Sequence, residues 1–279
     1  MYKILKKKIL SDSIKLMEIH APLVAKKAQA GQFIIFRVDE KGERVPLTIA
    51  DYDREKGSVT IIFQEVGKST IKLGQKEEGE YILDFLGPLG NPSHLEGYKK
   101  AAVIGGGLGT AISYPQAKTL YNLGCEVHTI AGFRNKDLII LEDELKQISH
   151  RCIITTDDGS NGTKGFVTDI LKQLIAEGNK YDLVVAIGPL MMMKAVCDIT
   201  REYGIKTIIS MNPIMIDGTG MCGGCRIRVG GETKFACVDG PDFDGHLVDF
   251  DDAIKRQAMY KKFEKEALHQ CRLEGMKNA

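Results

Sequence analysis

Apolar and polar positions change rhythm twice along the chain. Over residues 1–97 the apolar residues come in short runs, such as Gln32-Phe33-Ile34-Ile35-Phe36 and Val59-Thr60-Ile61-Ile62-Phe63. Turn clusters such as Asp39-Glu40-Lys41-Gly42 and Glu55-Lys56-Gly57 separate them. Short strands at this spacing predict a small antiparallel barrel or sandwich. From 98 to 212 apolar strands alternate with helix-length segments. The strands fall at 101–105, 126–131, 152–156, 183–187 and 207–211, and the helices near 110–122, 137–149, 165–178 and 190–203. This alternation predicts a five-stranded parallel sheet with helices on both faces, a β-barrel plus α/β architecture overall. Ligands on such sheets bind beyond the carboxyl ends of the strands. Residues 213–240 are rich in Gly and Cys with little periodicity. Residues 241–279 open with acids (Asp242, Asp244, Asp249, Asp251, Asp252) and close in a Lys/Glu-rich stretch, helix-like from 252 to 272.

The bulk properties narrow the classes. With 279 residues the chain suits about two domains, each able to bury its own core. A net charge of +1 gives no global field to recruit nucleic acid or an anionic membrane. The basic, then apolar, N-terminus lacks the long apolar core and cleavage site of a signal peptide, and no run of 18 apolar residues predicts a membrane span. Seven cysteines, three of them between 222 and 237, make a poor disulfide framework and a good metal-site pattern. A reducing cytoplasm is the expected setting.

Gly105-Gly106-Gly107-Leu108-Gly109-Thr110 follows a strand and opens a helix. Glycines there let the backbone approach a pyrophosphate, and the helix start offers N–H groups. The spaced dinucleotide fingerprint fits badly: Thr110 stands where a third Gly belongs, and the second strand ends Ala131-Gly132-Phe133-Arg134 with no acid. Acids come one strand later, in Asp157-Asp158-Gly159-Ser160. A carboxylate there accepts hydrogen bonds from an adenosine ribose and repels a 2′-phosphate, which points to NAD(H) over NADP(H). A solvated Asx turn is the alternative. Gly188-Pro189 bends into the same crevice, and Met191-Met192-Met193 reads as core filling.

The strongest signal is Asp217-Gly-Thr-Gly-Met-Cys222-Gly-Gly-Cys225, then eleven residues and Cys237. Plant-type [2Fe–2S] sites use C-x4-C-x2-C…C. Counting back from Cys222 puts Asp217 at the first ligand position. A carboxylate can ligate ferric iron, so Asp217, Cys222, Cys225 and Cys237 form a sound ligand set, with a hard oxygen donor that alters the potential. A zinc knuckle on the same three cysteines is the alternative, with a non-enzymatic binding module as its functional counterpart. Cys125, Cys152, Cys197 and Cys271 read as buried packing.

In the barrel region, Arg44-Val45-Pro46-Leu47-Thr48 joins a cation for a phosphate to an extended stretch that presents backbone groups and a hydroxyl to a flavin ring. Glu65-Val66-Gly67-Lys68-Ser69-Thr70 supplies Gly and hydroxyls at a turn suited to a pyrophosphate. Each alone is no more than a surface arginine and a turn.

In order, Arg-x-Pro-Leu-Thr, Val-Gly-Lys-Ser-Thr, Gly-Pro-Leu-Gly at 87–90, Gly-Gly-Gly-Leu-Gly and the cysteine cluster resemble the electron-transfer subunits of dihydroorotate dehydrogenase, a ferredoxin-reductase-like family. Asp217 in place of a cysteine, and the extension Val238 to Phe250, resemble most the branch of NADH-dependent reduced ferredoxin:NADP+ oxidoreductase small subunits and their sulfide-dehydrogenase relatives. Ser69 stands where many relatives have Gly, and Ile187 where reductases often have Cys. The resemblance implies FAD on residues 1–97, NAD(H) on 98–212, a [2Fe–2S] cluster on 213–240 and a partner-contacting tail on 241–279. It implies an electron-transfer enzyme subunit, within either that bifurcating oxidoreductase or a dihydroorotate or sulfide dehydrogenase. It also implies a larger, glutamate-synthase-small-subunit-like partner carrying a second flavin, [4Fe–4S] clusters and an NADP(H) site, with ferredoxin served indirectly.

Overall fold

The computed structural model describes residues 1–266, 268 and 269. The expected segment 252–272 therefore falls only partly within the described residues, and Cys271 lies outside them.

The N-terminal strands are β1 (Tyr2–Ile9), β2 (Ile14–His20), β3 (Phe33–Arg37), β4 (Val45–Asp53), β5 (Ser58–Gln64), β6 (Tyr81–Ile82) and β7 (Asp84–Leu89). They form one antiparallel sheet in the order β6-β1-β2-β5-β4-β3-β7. The two outer strands are separated in sequence by Leu83 alone, whose N–H donates to the Arg37 carbonyl at 3.1 Å, so the sheet curls into a nearly closed barrel. Two short helices, α1 (Pro22–Lys27) and α2 (Lys68–Gly74), interrupt the strands. Alternation aims Met17 and Ile19 of β2 into a core shared with Ile4, Ile61, Phe63 and Phe85. The strand β3 breaks this rule, because Phe33, Ile34, Ile35 and Phe36 are all buried. Ile34 and Phe36 face the barrel core, while Phe33 and Ile35 belong to the core of the following region. One face of β3 thus packs the barrel against its neighbour, and Ile14, Ala50 and Ile62 of the barrel make a second contact with it.

The second sheet joins β8 (Lys100–Gly106), β9 (Glu126–Phe133), β10 (Arg151–Thr156), β11 (Leu183–Ile187) and β12 (Thr207–Ser210) in parallel, in the order β10-β9-β8-β11-β12. Its connections carry α3 (Gly109–Asn122), α4 (Glu142–Gln147), α5 (Val167–Ala176) and α6 (Leu190–Glu202). A sixth strand, β15 (Asp242–Asp244), adds antiparallel to β12 from the acidic C-terminal stretch. The helix expected over 137–149 is instead a 3-10 turn at Lys136–Leu138 and then α4, with Leu141 between them at φ 57°. Ile140, Leu141 and Leu145 all bury against Phe133, Ala111 and the barrel residues Ile14 and Ile62. Leu138 to Leu141 are four consecutive apolar residues that a continuous helix would spread around its circumference, whereas all four lie against this one core here.

The strands β13 (Arg226–Val229) and β14 (Glu232–Phe235) form a hairpin turned by Gly230-Gly231, both at positive φ. The last labelled helix, α7 (Phe250–Ala258), is capped by Asp249, whose side chain accepts from the Asp252 N–H at 3.0 Å. Acids in its first turn and Lys255 and Arg256 in its last suit the helix dipole. Among the described residues no helix is long and apolar enough to cross a membrane.

Candidate functional site

A cleft of about 750 Å3 opens where all five parallel strands end. Its walls take Gly106 to Gly109 after β8, Gly132 to Arg134 after β9, Asp157 after β10, Ile187 to Pro189 after β11 and Ser210 to Asn212 after β12. The barrel closes the other side with Ile14, Phe33, Pro46, Leu47, Thr48, Ile62 and Gln64. Such a volume suits a large organic ligand, since small-molecule sites run to roughly 300–1,000 Å3.

The glycine loop is built for close approach. Gly107 N–H donates to the Gly132 carbonyl at 2.8 Å, which ties the loop to the next strand. A Cβ on Gly109 would sit 2.2 Å from the Ile187 carbonyl oxygen, so only glycine lets α3 start against the end of β11. At the start of α3 the N–H groups of Thr110 and Ala111 donate to the carbonyls of Gly107 and Leu108 at 3.1 and 3.0 Å, which tightens the first turn at the cleft end of the sheet. Gly105 and Thr110 flank this loop without reaching the cleft wall, and Thr110 is fully buried.

The two acids after β10 part company. Asp157 N–H donates to the Phe133 carbonyl at 3.0 Å, and Asp157 lines the cleft beside Arg134. Asp158 folds back as an Asx turn, accepting from Ser160 N–H at 2.9 Å. Bonds from Ser160 hold its carboxyl below the ordinary range. Gly159 continues that turn at φ 78°. Of the three methionines after Gly188-Pro189, only Met193 is core, at 2% exposure. Met192 lies against Gly106 and Gly188, and Met191 is exposed on the cleft wall. Their place directly after the strand-end Gly-Pro was the available sign that they serve the cleft rather than the core.

On the barrel, Pro46, Leu47 and Thr48 line the cleft, while Val45 pairs with Phe36 at the start of β4. The turn Glu65 to Thr70 lies just past Gln64, outside the cleft wall itself. There Thr70 Oγ1 accepts from the N–H groups of Val66 and Gly67 at 3.1 Å each, which fixes the start of α2. Arg44 is also off the cleft wall. Its Nη2 donates to the main-chain carbonyl of Asp217 at 3.0 Å, 173 residues away.

The eleven residues between Cys225 and Cys237 are the β13–β14 hairpin. Ala236 N–H donates to the Cys225 carbonyl at 3.1 Å, so the hairpin base sets the two thiols side by side. Both are buried, at 1% and 3% exposure. Burial and the Cys225 thiol beside it push the Cys237 thiol up. Cys222 is exposed and accepts from Gly224 N–H at 3.4 Å, which lowers its thiol. Asp217 is held low by the hydroxyl and N–H of Thr219, both of which bond Oδ2, as does the Met221 N–H at 3.4 Å. Gly218, at φ 83°, presses on β3: a Cβ there would lie 2.2 Å from Ile35 Cδ1. The predicted ligands therefore occupy one loop and one hairpin base. Among the described residues no three His, Cys, Asp or Glu side chains converge closely enough to hold a metal ion as they stand. The donor chemistry, three thiols and a carboxylate on a glycine-rich backbone, fits an iron–sulfur cluster. Of the other described cysteines expected to be buried, Cys125 and Cys197 are, while Cys152 is half-buried; burial pushes all three thiols up, Cys152 to about 11 and Cys197 to about 12.

Residues 212–249 match the family model of the iron-sulfur cluster binding domain of dihydroorotate dehydrogenase B. A protein of Clostridium beijerinckii known as the uncharacterized protein in the adh 3′ region is 54% identical, covering 96% of this chain and 93% of its own length. The dihydroorotate dehydrogenase B (NAD(+)) electron transfer subunit homolog of Thermotoga maritima is 48% identical, covering 94% and 93%. Among solved structures, a chain of the NADH-dependent reduced ferredoxin-NADP oxidoreductase, studied for flavin-based electron bifurcation, superposes with a TM-score of 0.91. That chain is 46% identical, with 97% of each chain covered.

Proposed function

The chain belongs to the family of dihydroorotate dehydrogenase B electron transfer subunits and their homologues, and on that premise we propose that it is the small subunit of an electron-bifurcating NADH-dependent reduced ferredoxin:NADP+ oxidoreductase. At the coarser level it is an electron-transfer component of a redox enzyme that works with NAD(H), FAD and one [2Fe–2S] cluster. The observation that carries the finer reading is the end-to-end likeness to the bifurcating enzyme's chain, with Asp217 at the first ligand position of the cluster loop.

NAD(H) takes the strand-end cleft, with its pyrophosphate on the Gly105 to Thr110 loop and its ribose at Asp157, supported by Asp158 and Gly159. Gly188 and Pro189 bend over the nicotinamide end, where Met191 and Met192 keep water out. Pro46, Leu47 and Thr48 pack the flavin ring, and the Glu65 to Thr70 turn serves its phosphates. Asp217, Cys222, Cys225 and Cys237 would hold the cluster, two of them on the glycine-rich loop and two at the hairpin base. Asp217, whose Oδ2 already accepts from three donors, would offer its carboxylate to iron. When bound, the flavin exchanges a hydride with the nicotinamide and single electrons with the cluster, so no protein acid or base is needed at the hydride step. The functional units are residues 1–97, 98–212, 213–240 and 241–279, the last joining the second sheet through β15 and turning its remaining surface to the partner.

That partner is a larger, glutamate-synthase-small-subunit-like chain with a second flavin, [4Fe–4S] clusters and an NADP(H) site, working in the cytoplasm with ferredoxin as its own acceptor. The test is an assay of the native complex with NADPH, NAD+ and ferredoxin. NADPH oxidation that requires both acceptors supports the reading. Dihydroorotate-dependent NAD+ reduction instead assigns the chain to a dihydroorotate dehydrogenase, the reading that the name of the Thermotoga relative favours.

A further inference from the structure

The β3–β4 loop, residues 38–44, carries two adjacent charged residues that reach in opposite directions. Glu43 Oε2 accepts from Ser69 Oγ at 3.2 Å, at the start of α2. Arg44 Nη2 donates to the Asp217 carbonyl at 3.0 Å, at the start of the cluster loop. Consecutive side chains of extended chain point to opposite sides, which is how one short loop touches both segments. Arg44 lies outside the strand whose residues line the cleft. The strand β4 begins at Val45 and pairs Val45 with Phe36, and the cleft-lining residues are Pro46, Leu47 and Thr48. Arg44 sits one residue ahead of the strand, half-buried, against a loop whose next residue, Gly218, presses on Ile35 of β3. The carboxylate limb of the cluster loop thus rests on the barrel at two points, one cation and one glycine contact.

We propose that Arg44 is a positioning residue for the cluster loop rather than a flavin phosphate ligand: its guanidinium holds the Asp217 main chain against the barrel and fixes a positive charge beside the cluster. The inference rests on the reading of Asp217, Cys222, Cys225 and Cys237 as the cluster site. A guanidinium offers planar, directed donors that an ammonium does not reproduce. Its fixed charge favours the reduced cluster, which carries one more negative charge than the oxidised form. Arg44→Lys keeps the charge and loses the fork, whereas Arg44→Gln loses the charge and keeps a donor.

The experiment compares FAD, iron and sulfide content, the cluster's EPR spectrum and the midpoint potentials of flavin and cluster in the wild-type protein, Arg44→Gln and Arg44→Lys. The expected result is full FAD content and an unmoved flavin potential in both variants. The cluster potential falls in Arg44→Gln, Arg44→Lys recovers part of the fall, and both alter the EPR line shape. Loss of the cluster from Arg44→Gln with FAD retained, and its recovery in Arg44→Lys, supports the same role. Loss of FAD with the cluster unchanged overturns the proposal, as do an unchanged potential and line shape in a variant that keeps its cluster. Wild-type protein that holds FAD but accepts no iron–sulfur cluster on reconstitution overturns the cluster reading and this proposal with it, a result distinct from either of those.

Discussion

The nucleotide cleft and the cluster loop solve the same problem, holding a redox group, by opposite means. The cleft is assembled from backbone at the ends of five paired strands, and its shape exists because the sheet exists. The loop relies on side chains, and its hairpin base is the more buried part: Cys225 and Cys237 are buried together, while Cys222 is exposed and Asp217 half-buried on glycine-rich chain. A site made of sheet ends is organised before its ligand arrives. A site made of a loop takes part of its organisation from the ligand, as metal binding and folding are coupled. The two regions should therefore fail separately when altered.

The largest separation is expected from Cys225→Ser. Iron and sulfide content should drop to near zero, while FAD stays bound and is still bleached by NADH. Loss of FAD along with the cluster would break the comparison, because it would make the loop a support of the cleft. The converse change is Gly109→Val. Its Cβ meets the Ile187 carbonyl oxygen, and overpacking of this kind costs on the order of 1–3 kcal/mol, so NADH should bind about 100-fold more weakly. Cluster content, measured by iron assay and EPR, should not change. A smaller effect is expected from Asp157→Ala. Removing the cleft-facing carboxylate should reduce the preference for NADH over NADPH about tenfold in stopped-flow flavin reduction, about 1.4 kcal/mol.

The smallest effect concerns the sheet end opposite the cleft. His128 of β9 is buried between the Tyr181 hydroxyl at 2.8 Å and Glu126 at 3.0 Å, and burial lowers its pKa. A histidine with a depressed folded pKa is stabilising in its neutral form. That contribution is complete above the unfolded value, near 6.5, and is lost as pH falls through the lower folded value. The melting temperature should drop as pH falls below about 6.5, and His128→Gln should flatten the decline. A cluster EPR signal unaltered over the same range would sharpen the contrast between sheet and loop.

How much of this was legible depended on whether local pattern or tertiary contact decides the element. The alternating runs around Phe33 to Phe36 and Val59 to Phe63 become β3 and β5, and the five apolar strands of the second region become the parallel sheet. The glycine loop and Asp157 were visible because their spacing is chemical. The strand β15 was hidden in a stretch whose acids suggested solvent. Phe243 joins the core, and Asp242 is pulled inward to Ser93 Oγ at 2.5 Å, while Ser210 pairs with it across the ladder. The break at Leu141 was invisible because it answers to the barrel surface beneath it. The hairpin between Cys225 and Cys237 did have a signal, Gly230-Gly231 between two short polar–apolar runs. The placement of Arg44 had no such signal: it precedes the first residue of β4, and its partner, the Asp217 carbonyl, lies 173 residues away.

On the proposed function, one chain carries electrons from NADH through its flavin to its own cluster. The most direct measurement is an anaerobic titration of the purified holoprotein with NADH, followed by visible absorption and low-temperature EPR. The account predicts that flavin absorption bleaches and that the signal of a reduced [2Fe–2S] centre grows in with it, at about one FAD and two irons per chain. A flavin that is reduced while the cluster stays oxidised and EPR-silent, or a colourless protein that contains zinc, would contradict it.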